Sequence, residues 1–160
     1  MQVREIMSSP AITVGPDAGI RSVASVMLEH HISGVPVVDG EGALLGAITE
    51  LDLIARNAPV QEPTYLAVLS AVIPLNPREV REYREQLRQA LAVNAGELMT
   101  EDVPVVSPDA DIAEALELML DPEAVMLPVI EDEKVIGVVT RTDLVRLIER
   151  LESAPDAEGA

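Results

Sequence analysis

The 160-residue chain has no cysteine, no phenylalanine, no tryptophan and only two tyrosines. Without cysteine there are no disulfides, no thiolate zinc sites and no cysteine nucleophile. Without aromatic platforms the chain is poorly equipped to stack single-stranded nucleic acid, and its core must be built from Val, Ile, Leu, Met and Ala. Basic residues are scarce as well. Eleven Lys and Arg stand against 28 Asp and Glu, a formal charge of −17. Such a surface repels nucleic-acid phosphates and anionic lipid, so neither nucleic acid nor a membrane is an expected partner. The most apolar stretch, Tyr65 to Leu75, is far short of the ~20 residues that a spanning helix needs. Met1 to Met7 carries two charges with no apolar run behind it, unlike a secretory leader. A cytoplasmic location is expected. Aliphatic residues are abundant: 48% of the chain is hydrophobic, too much for disorder.

The chain repeats itself at an offset of 92. Glu5-Ile6-Met7 returns as Glu97-Leu98-Met99, and Val14-Gly15-Pro16-Asp17-Ala18 as Val106-Ser107-Pro108-Asp109-Ala110. Val35-Pro36-Val37-Val38 returns as Leu127-Pro128-Val129-Ile130. After a one-residue shortening, Gly46 through Leu53 meets Gly137 through Leu144. This ordered self-similarity marks a duplication, with repeats at 1–56 and 95–150, an insert at 57–94 and an acidic tail at 151–160. The first repeat carries a net −4, the insert zero and the second repeat −10. An anion therefore suits the second repeat less, unless bases are focused locally.

Each repeat reads as β-α-β-β-α. Residues 11–14 and 103–106 are short apolar runs closed by Gly-Pro or Ser-Pro, as strands are. Ile20, Ala24, Met27 and Leu28 share one helical face, and Ile112, Leu116, Met119 and Leu120 repeat that spacing. Val35–Val38 with Ala43–Ile48, and Leu127–Ile130 with Val135–Val139, flank acidic turns and predict hairpins. Short helices follow from about Glu50 and Arg141. A repeat this small cannot bury a sufficient core alone. The expected fold is thus α+β: two repeats packed about a pseudo-twofold axis, with a helical insert between them and two equivalent clefts at the junction. Within the insert, the apolar segment from Tyr65 to Ile73 predicts one helix. Asn76 as cap, Pro77 at the first position and Glu79 at the third start a second, with Arg78–Glu82 and Arg81–Glu85 pairing along it.

Two Thr-x-x-Asp sequences stand out, Thr49/Asp52 and Thr140/Asp143. One reading is a capping box. The other is a ligand site: a hydroxyl beside free helix amides suits a phosphate oxygen, and a short carboxylate can accept both hydroxyls of a ribose. Both readings can hold together. His30-His31 lacks a third metal ligand and is read as a helix C-terminus, so no metal site is assigned. The repeated methionines are read as core filling, and the Arg/Glu run over 78–88 as a solvated helix face. No Ser-His-Asp set and no glycine-rich phosphate loop is present, so the chain is not read as an enzyme and no catalytic residue is assigned.

The duplicated β-α-β-β-α unit, the Val-Pro-Val-Val and Leu-Pro-Val-Ile strands and the paired Gly-x-x-Thr-x-x-Asp sequences resemble tandem CBS domains. These are the cystathionine-β-synthase-type repeats whose pair is called a Bateman module. The lead-ins Val3-Arg4-Glu5-Ile6-Met7 and Gly96-Glu97-Leu98-Met99 are similar to those of the family. The resemblance implies a regulatory module sensing an adenosine-containing ligand (AMP, ADP, ATP or S-adenosylmethionine) with no cofactor required. It assigns the ribose to Asp52 and Asp143 and the first phosphate to Thr49 and Thr140. The adenine is assigned to Ile12, Thr13, Val14, Val35 and Pro36 in one cleft, and to Pro104, Val105, Val106, Leu127 and Pro128 in the other. It also implies a homodimer acting on an unidentified protein target. The sequence departs from the family where bases often precede the Pro-Val strand: Ser33-Gly34 and Val125-Met126 stand there. Arg141 is expected to serve one cleft and its counterpart Glu50 to repel phosphate at the other. The alternative function is a dimerising scaffold whose Thr/Asp pairs only cap helices.

Overall fold

The computed structural model describes residues 1–68, 71–74 and 76–153. The chain is α+β, and each repeat centres on an antiparallel hairpin. In the first repeat, helix α1 (Ile20–Glu29) precedes β1 (Gly34–Val38) and β2 (Leu44–Thr49), and α2 (Glu50–Arg56) follows. In the second, α5 (Ile112–Met119) precedes β5 (Met126–Glu131) and β6 (Lys134–Thr140), and α6 (Arg141–Ser153) follows. Val35 pairs with Ile48 in one hairpin and Leu127 with Val139 in the other. The registers slip at equivalent places, after Val37 and after Val129. Of the tail expected over 151–160, residues 151–153 complete α6 and the rest lies outside the described residues.

The strands expected over 11–14 and 103–106 shrink to one paired residue each. Val14 bridges Val37 and Val106 bridges Val129, both in parallel. Pro16 and Pro108 follow closely and have no N–H to extend a ladder. In the helices, α1 buries Val23 and Met27 and α5 buries Ala115 and Met119, while Leu28 and Leu120 point outward, about four-fifths exposed.

The insert is only partly helical. Tyr65–Val68 (β3) and Ala71–Pro74 (β4) form an antiparallel hairpin in place of the first expected helix. The run is short and carries Val68, Val72 and Ile73, whose β-branched side chains favour extended backbone; apolar length alone does not separate the two outcomes. The second helix, α3 (Pro77–Leu91), begins as expected, with Asn76 Oδ1 accepting from Arg78 N at 3.0 Å. Glu79 returns to the cap's side chain and not to its backbone, accepting from Asn76 Nδ2 at 3.3 Å, and it also accepts from Thr64 N at 3.1 Å. Among the described residues the ion pair on this helix is Glu85–Arg88 at 2.6 Å, in place of the expected Arg78–Glu82 and Arg81–Glu85. Arg56 Nε holds the helix's far end through Ala92 O at 2.9 Å.

The two repeats exchange their lead-ins. Val3, in a 3-10 turn over Val3–Glu5, is fully buried in the second repeat's core with Val106, Ala115, Leu127, Val129 and Val139. Ala95 and Leu98, from the short helix α4 (Ala95–Leu98), are fully buried in the first repeat's core with Val23, Val35, Val37 and Ile48. Backbone bonds repeat the exchange position by position. Val3 N donates to Ala110 O at 3.0 Å as Ala95 N does to Ala18 O at 2.8 Å, and Arg4 N to Pro108 O as Gly96 N to Pro16 O. Ser8 and Val138 exchange two bonds at 2.9 and 3.0 Å; Thr100 and Ala47 exchange two at 2.9 Å. Each small sheet thus ends on a residue lent by the other repeat. This reciprocity is the pseudo-twofold relation.

The exchange explains the glycine of each Gly-x-x-Thr-x-x-Asp sequence. A Cβ on Gly46 would stand 2.6 Å from Thr100 O, and one on Gly137 would stand 2.8 Å from Ser8 O. Backbone at that range cannot swing aside. Gly46→Ala and Gly137→Ala should each cost about 1–3 kcal/mol by overpacking, read as a lower urea midpoint at unchanged slope. The β5–β6 turn offers the opposite change. Asp132 and Glu133 sit at φ 48° and 65°, the left-handed pair of a two-residue turn that favours Asn-Gly. Asp132→Asn with Glu133→Gly should stabilise the fold by about 1 kcal/mol, visible as a melting temperature a few degrees higher.

Candidate functional site

Both Thr-x-x-Asp sequences form capping boxes. Asp52 Oδ2 accepts from Thr49 N at 2.7 Å and from Thr49 Oγ1 at 3.0 Å, and Asp52 N donates back to Thr49 Oγ1 at 3.4 Å. Asp143 Oδ2 accepts from Thr140 N at 2.8 Å and Thr140 Oγ1 at 2.7 Å, with the return bond at 3.3 Å. The threonine hydroxyls therefore spend their hydrogen on the aspartates and have none for a phosphate oxygen. Capping uses one carboxylate oxygen of each pair. No hydrogen bond reaches Asp52 Oδ1 among the described residues, and Asp143 Oδ1 has only a long contact from Ser8 Oγ at 3.4 Å and Arg146 Nη1 at 3.7 Å. The second oxygen is the one that the cap does not use.

Each aspartate stands in a cleft between the repeats. The Asp52 cleft, about 580 Å³, takes Ala47, Thr49 and Leu51 from the first repeat and Thr100, Asp102, Val103, Pro104, Asp121, Glu123 and Ala124 from the second. Glu85 and Gln89 on α3 complete it. The Asp143 cleft, about 470 Å³, takes Thr140, Arg141, Thr142 and Arg146 from the second repeat and Pro10, Ile12, His30, His31, Ile32, Ser33, Gly34 and Glu50 from the first. Both volumes suit a small organic ligand. Val125 and Met126 line both clefts, and a Cβ on Gly34 would meet Val125 at 3.2 Å and Met126 at 3.4 Å. The positions where the family often carries bases here form the partition between the clefts.

Among the residues assigned to adenine, Ile12 and Pro104 line the clefts at equivalent positions, each opposite the other repeat's aspartate. Thr13, Val14, Val35, Pro36, Val105, Val106, Leu127 and Pro128 line neither. Val14, Val35, Val106 and Leu127 turn into the hydrophobic cores, and Pro36 and Pro128 are fully buried. Backbone atoms of Val14 and Val106 are committed to Pro36, Val38, Pro128 and Ile130. Glu50 corrects another expectation: it faces the Asp143 cleft, alongside Arg141, because the start of α2 points across the junction. Arg141 Nη2 donates to Asp121 O at 3.0 Å and Pro122 O at 2.8 Å, closing the end of α5. Sequence reasoning did not assign His30, His31 or Arg146 to a cleft. The adjacency of the histidines to the Pro-Val strand was the signal for them.

Charge differs sharply between the clefts. Around Asp52 stand Glu85, Asp102, Asp121 and Glu123, with no basic residue in the lining. The hydrogen bond from Arg88 holds the Glu85 carboxyl below its usual range, so that wall keeps its charge into mildly acid solution. Around Asp143, two arginines and two histidines face Glu50.

The family model of the CBS domain matches residues 3–58 and 95–150. The chain belongs to the CBS domain family. An uncharacterized protein of Methanocaldococcus jannaschii is 33% identical over 92% of this chain and 91% of its own length. The inosine-5'-monophosphate dehydrogenase of the same organism is 30% identical over 97% of this chain, which spans 25% of that enzyme. Among solved structures, CBSX2 in complex with AMP superposes at a TM-score of 0.76, with 22% identity, covering 94% of this chain and 98% of that one. The CBS domain pair of protein MJ0100, solved with 5'-methylthioadenosine and S-adenosyl-L-methionine, superposes at 0.66 with 25% identity, covering 92% and 99%. In this CBS pair, Thr49→Ala and Thr140→Ala should each lower stability by about 1 kcal/mol through the lost cap, measured by urea unfolding without added ligand.

Proposed function

We propose that this CBS pair is a regulatory module that binds an adenosine-containing ligand in the clefts between its repeats and passes the change to an interface. The observation that supports this reading is that each capping aspartate lines a cleft walled by both repeats while its cap uses only one carboxylate oxygen. Relatives solved with AMP and with S-adenosylmethionine and methylthioadenosine support the ligand class. Asp52 and Asp143 hold the ribose, Ile12 and Pro104 lie against the base, and Thr49 and Thr140 position the aspartates. No catalytic step is assigned. A ligand that touches both repeats shifts their packing only by binding one arrangement better than another.

The same reading includes a homodimer. Leu28 on α1 and Ile54 on α2, and their counterparts Leu120 just past α5 and Val145 on α6, are well exposed, and Ile148 on α6 is half exposed. Covering these helix faces with a second copy removes the apolar surface from water. Light scattering should return twice the monomer mass at micromolar concentration; a monomer throughout would refute the dimer.

Adenosine, AMP, ADP, ATP and S-adenosylmethionine at millimolar levels should be compared by thermal shift, since binding raises the melting temperature by mass action. At least one should raise it by several degrees; none doing so would favour the empty scaffold. Asp143→Asn keeps an acceptor for Thr140 and should cost the fold about 1 kcal/mol, a few degrees. It should weaken the ligand at that cleft at least tenfold, since charge-assisted bonds contribute roughly 1.5–3 kcal/mol. Unchanged affinity would reduce the aspartate to a helix cap.

A further inference from the structure

Helix α3 belongs to neither repeat, yet it stands in one of the clefts. Its residues Glu85 and Gln89 line the Asp52 cleft together with Asp52 and Ala55 of α2. The Asp143 cleft has no such third wall, since its lining comes from the two repeats alone. Resting on the adenosine reading above, we propose that α3 is part of the ligand site of the Asp52 cleft, with Gln89 hydrogen-bonding the sugar beside Asp52. The insert then responds to occupancy of that cleft and not of the other.

The half of α3 that meets the cleft is tied down by polar contacts. Arg88 Nη2 donates to Glu85 Oε1 at 2.6 Å and Arg88 Nη1 to Glu97 O of α4 at 2.5 Å. The Glu97 carboxylate accepts from Val93 N at 2.9 Å, and Arg56 at the end of α2 holds Ala92 O. Both ties run to elements of the first repeat's core region, so Glu85 and Gln89 are held beside Asp52. Glu85 first, and then the charges of Asp52 and Glu101, raise the Arg88 guanidinium above its ordinary range. The Glu85–Arg88 pair thus gives the cleft a polar wall whose charge is offset within the helix. Gln89 differs from its neighbour Gln86, which spends its amide oxygen on Gln61 N at 3.0 Å. Among the described residues no hydrogen bond reaches the Gln89 side chain, although it lines the cleft. An amide both donates and accepts, as a sugar hydroxyl does. No side chain of α3 is fully buried, so the helix opens locally at low cost. A ligand bound against it therefore adds measurably to its protection.

The test joins calorimetry to hydrogen exchange over residues 77–91, with adenosine, AMP and S-adenosylmethionine on the full chain. In Asp143→Asn, which leaves the Asp52 cleft as the working site, at least one of them should bind. That ligand should slow exchange in α3 by about threefold or more. Adding Gln89→Ala should weaken the binding by about fivefold or more and remove the protection. Gln86→Ala, on the same helix but outside the cleft, should change affinity by less than about twofold. A helix that acts only as a structural prop would respond alike to both changes. In Asp52→Asn, ligand in the remaining cleft should leave α3 exchange unchanged, and Gln89→Ala should cost nothing further. Binding in Asp143→Asn with no protection of α3 and no loss in Gln89→Ala would overturn the assignment while the adenosine reading stands. So would binding by the parent that disappears in Asp143→Asn. If none of the three binds the parent, the adenosine reading falls and this assignment falls with it.

Discussion

The exchange of lead-ins between the repeats is the contact on which the rest of the molecule depends. Two backbone bonds join Ser8 to Val138 and two join Thr100 to Ala47, and the fully buried side chains Val3 and Leu98 sit on opposite sides of the trade. Burying a Val or Leu side chain contributes about 1.5–3 kcal/mol, so each repeat draws part of its core from the other. Neither is a complete folding unit over the bounds that the sequence repeat suggests. Once the lead-ins have crossed, the chain running on from each must pass back over the junction. That return sets Ile12 opposite Asp143 and Pro104 opposite Asp52. The clefts are thus a geometric consequence of the exchange.

The same constraint reaches the motif itself. The glycine leaves room for the crossing backbone, and the threonine ends the strand and caps the helix. The aspartate gives one oxygen to the cap and lines the cleft. The cap occupies one carboxylate oxygen and leaves the other uncommitted to it. A single Thr-x-x-Asp is ambiguous between cap and ligand because one carboxylate has enough acceptor sites for both.

Much of the frame was legible in the sequence. The offset repeat, the two hairpins and the helices starting at Glu50 and Arg141 followed from apolar spacing and acidic turns, all of them local signals. The Asn76 cap was legible for the same reason. The lead-in exchange was not, since nothing local says which of two similar cores a Val3 or Leu98 enters. The insert's apolar run gave a helix on paper and a hairpin in the structure because short apolar runs do not carry their own period. Of the strands assigned to adenine, those of the two hairpins stand where expected and 11–14 and 103–106 reduce to single bridges, and Val14, Val35, Val106 and Leu127 turn inward. A strand's position in a family pattern does not say which of its faces meets the ligand.

Charge is where the sequence misled most. Summed by segment, the second repeat carries −10 and the first −4, a balance that disfavours an anion site on the more acidic repeat. The cleft at the second repeat's own aspartate is nevertheless the less acidic one, with Arg141 and Arg146 set against Glu50 and Asp143. The acids Asp102, Asp121 and Glu123 leave for the other cleft. A cleft built across a junction has a charge belonging to neither parent segment. Duplication gives two identical frames, and substitutions on either repeat can then tune one cleft without altering the other. Since both clefts are lined from both repeats, a ligand bound there shifts the packing of the junction only if it binds one arrangement better than another. The exchange that completes the cores is therefore also what couples the clefts to the shape of the whole pair.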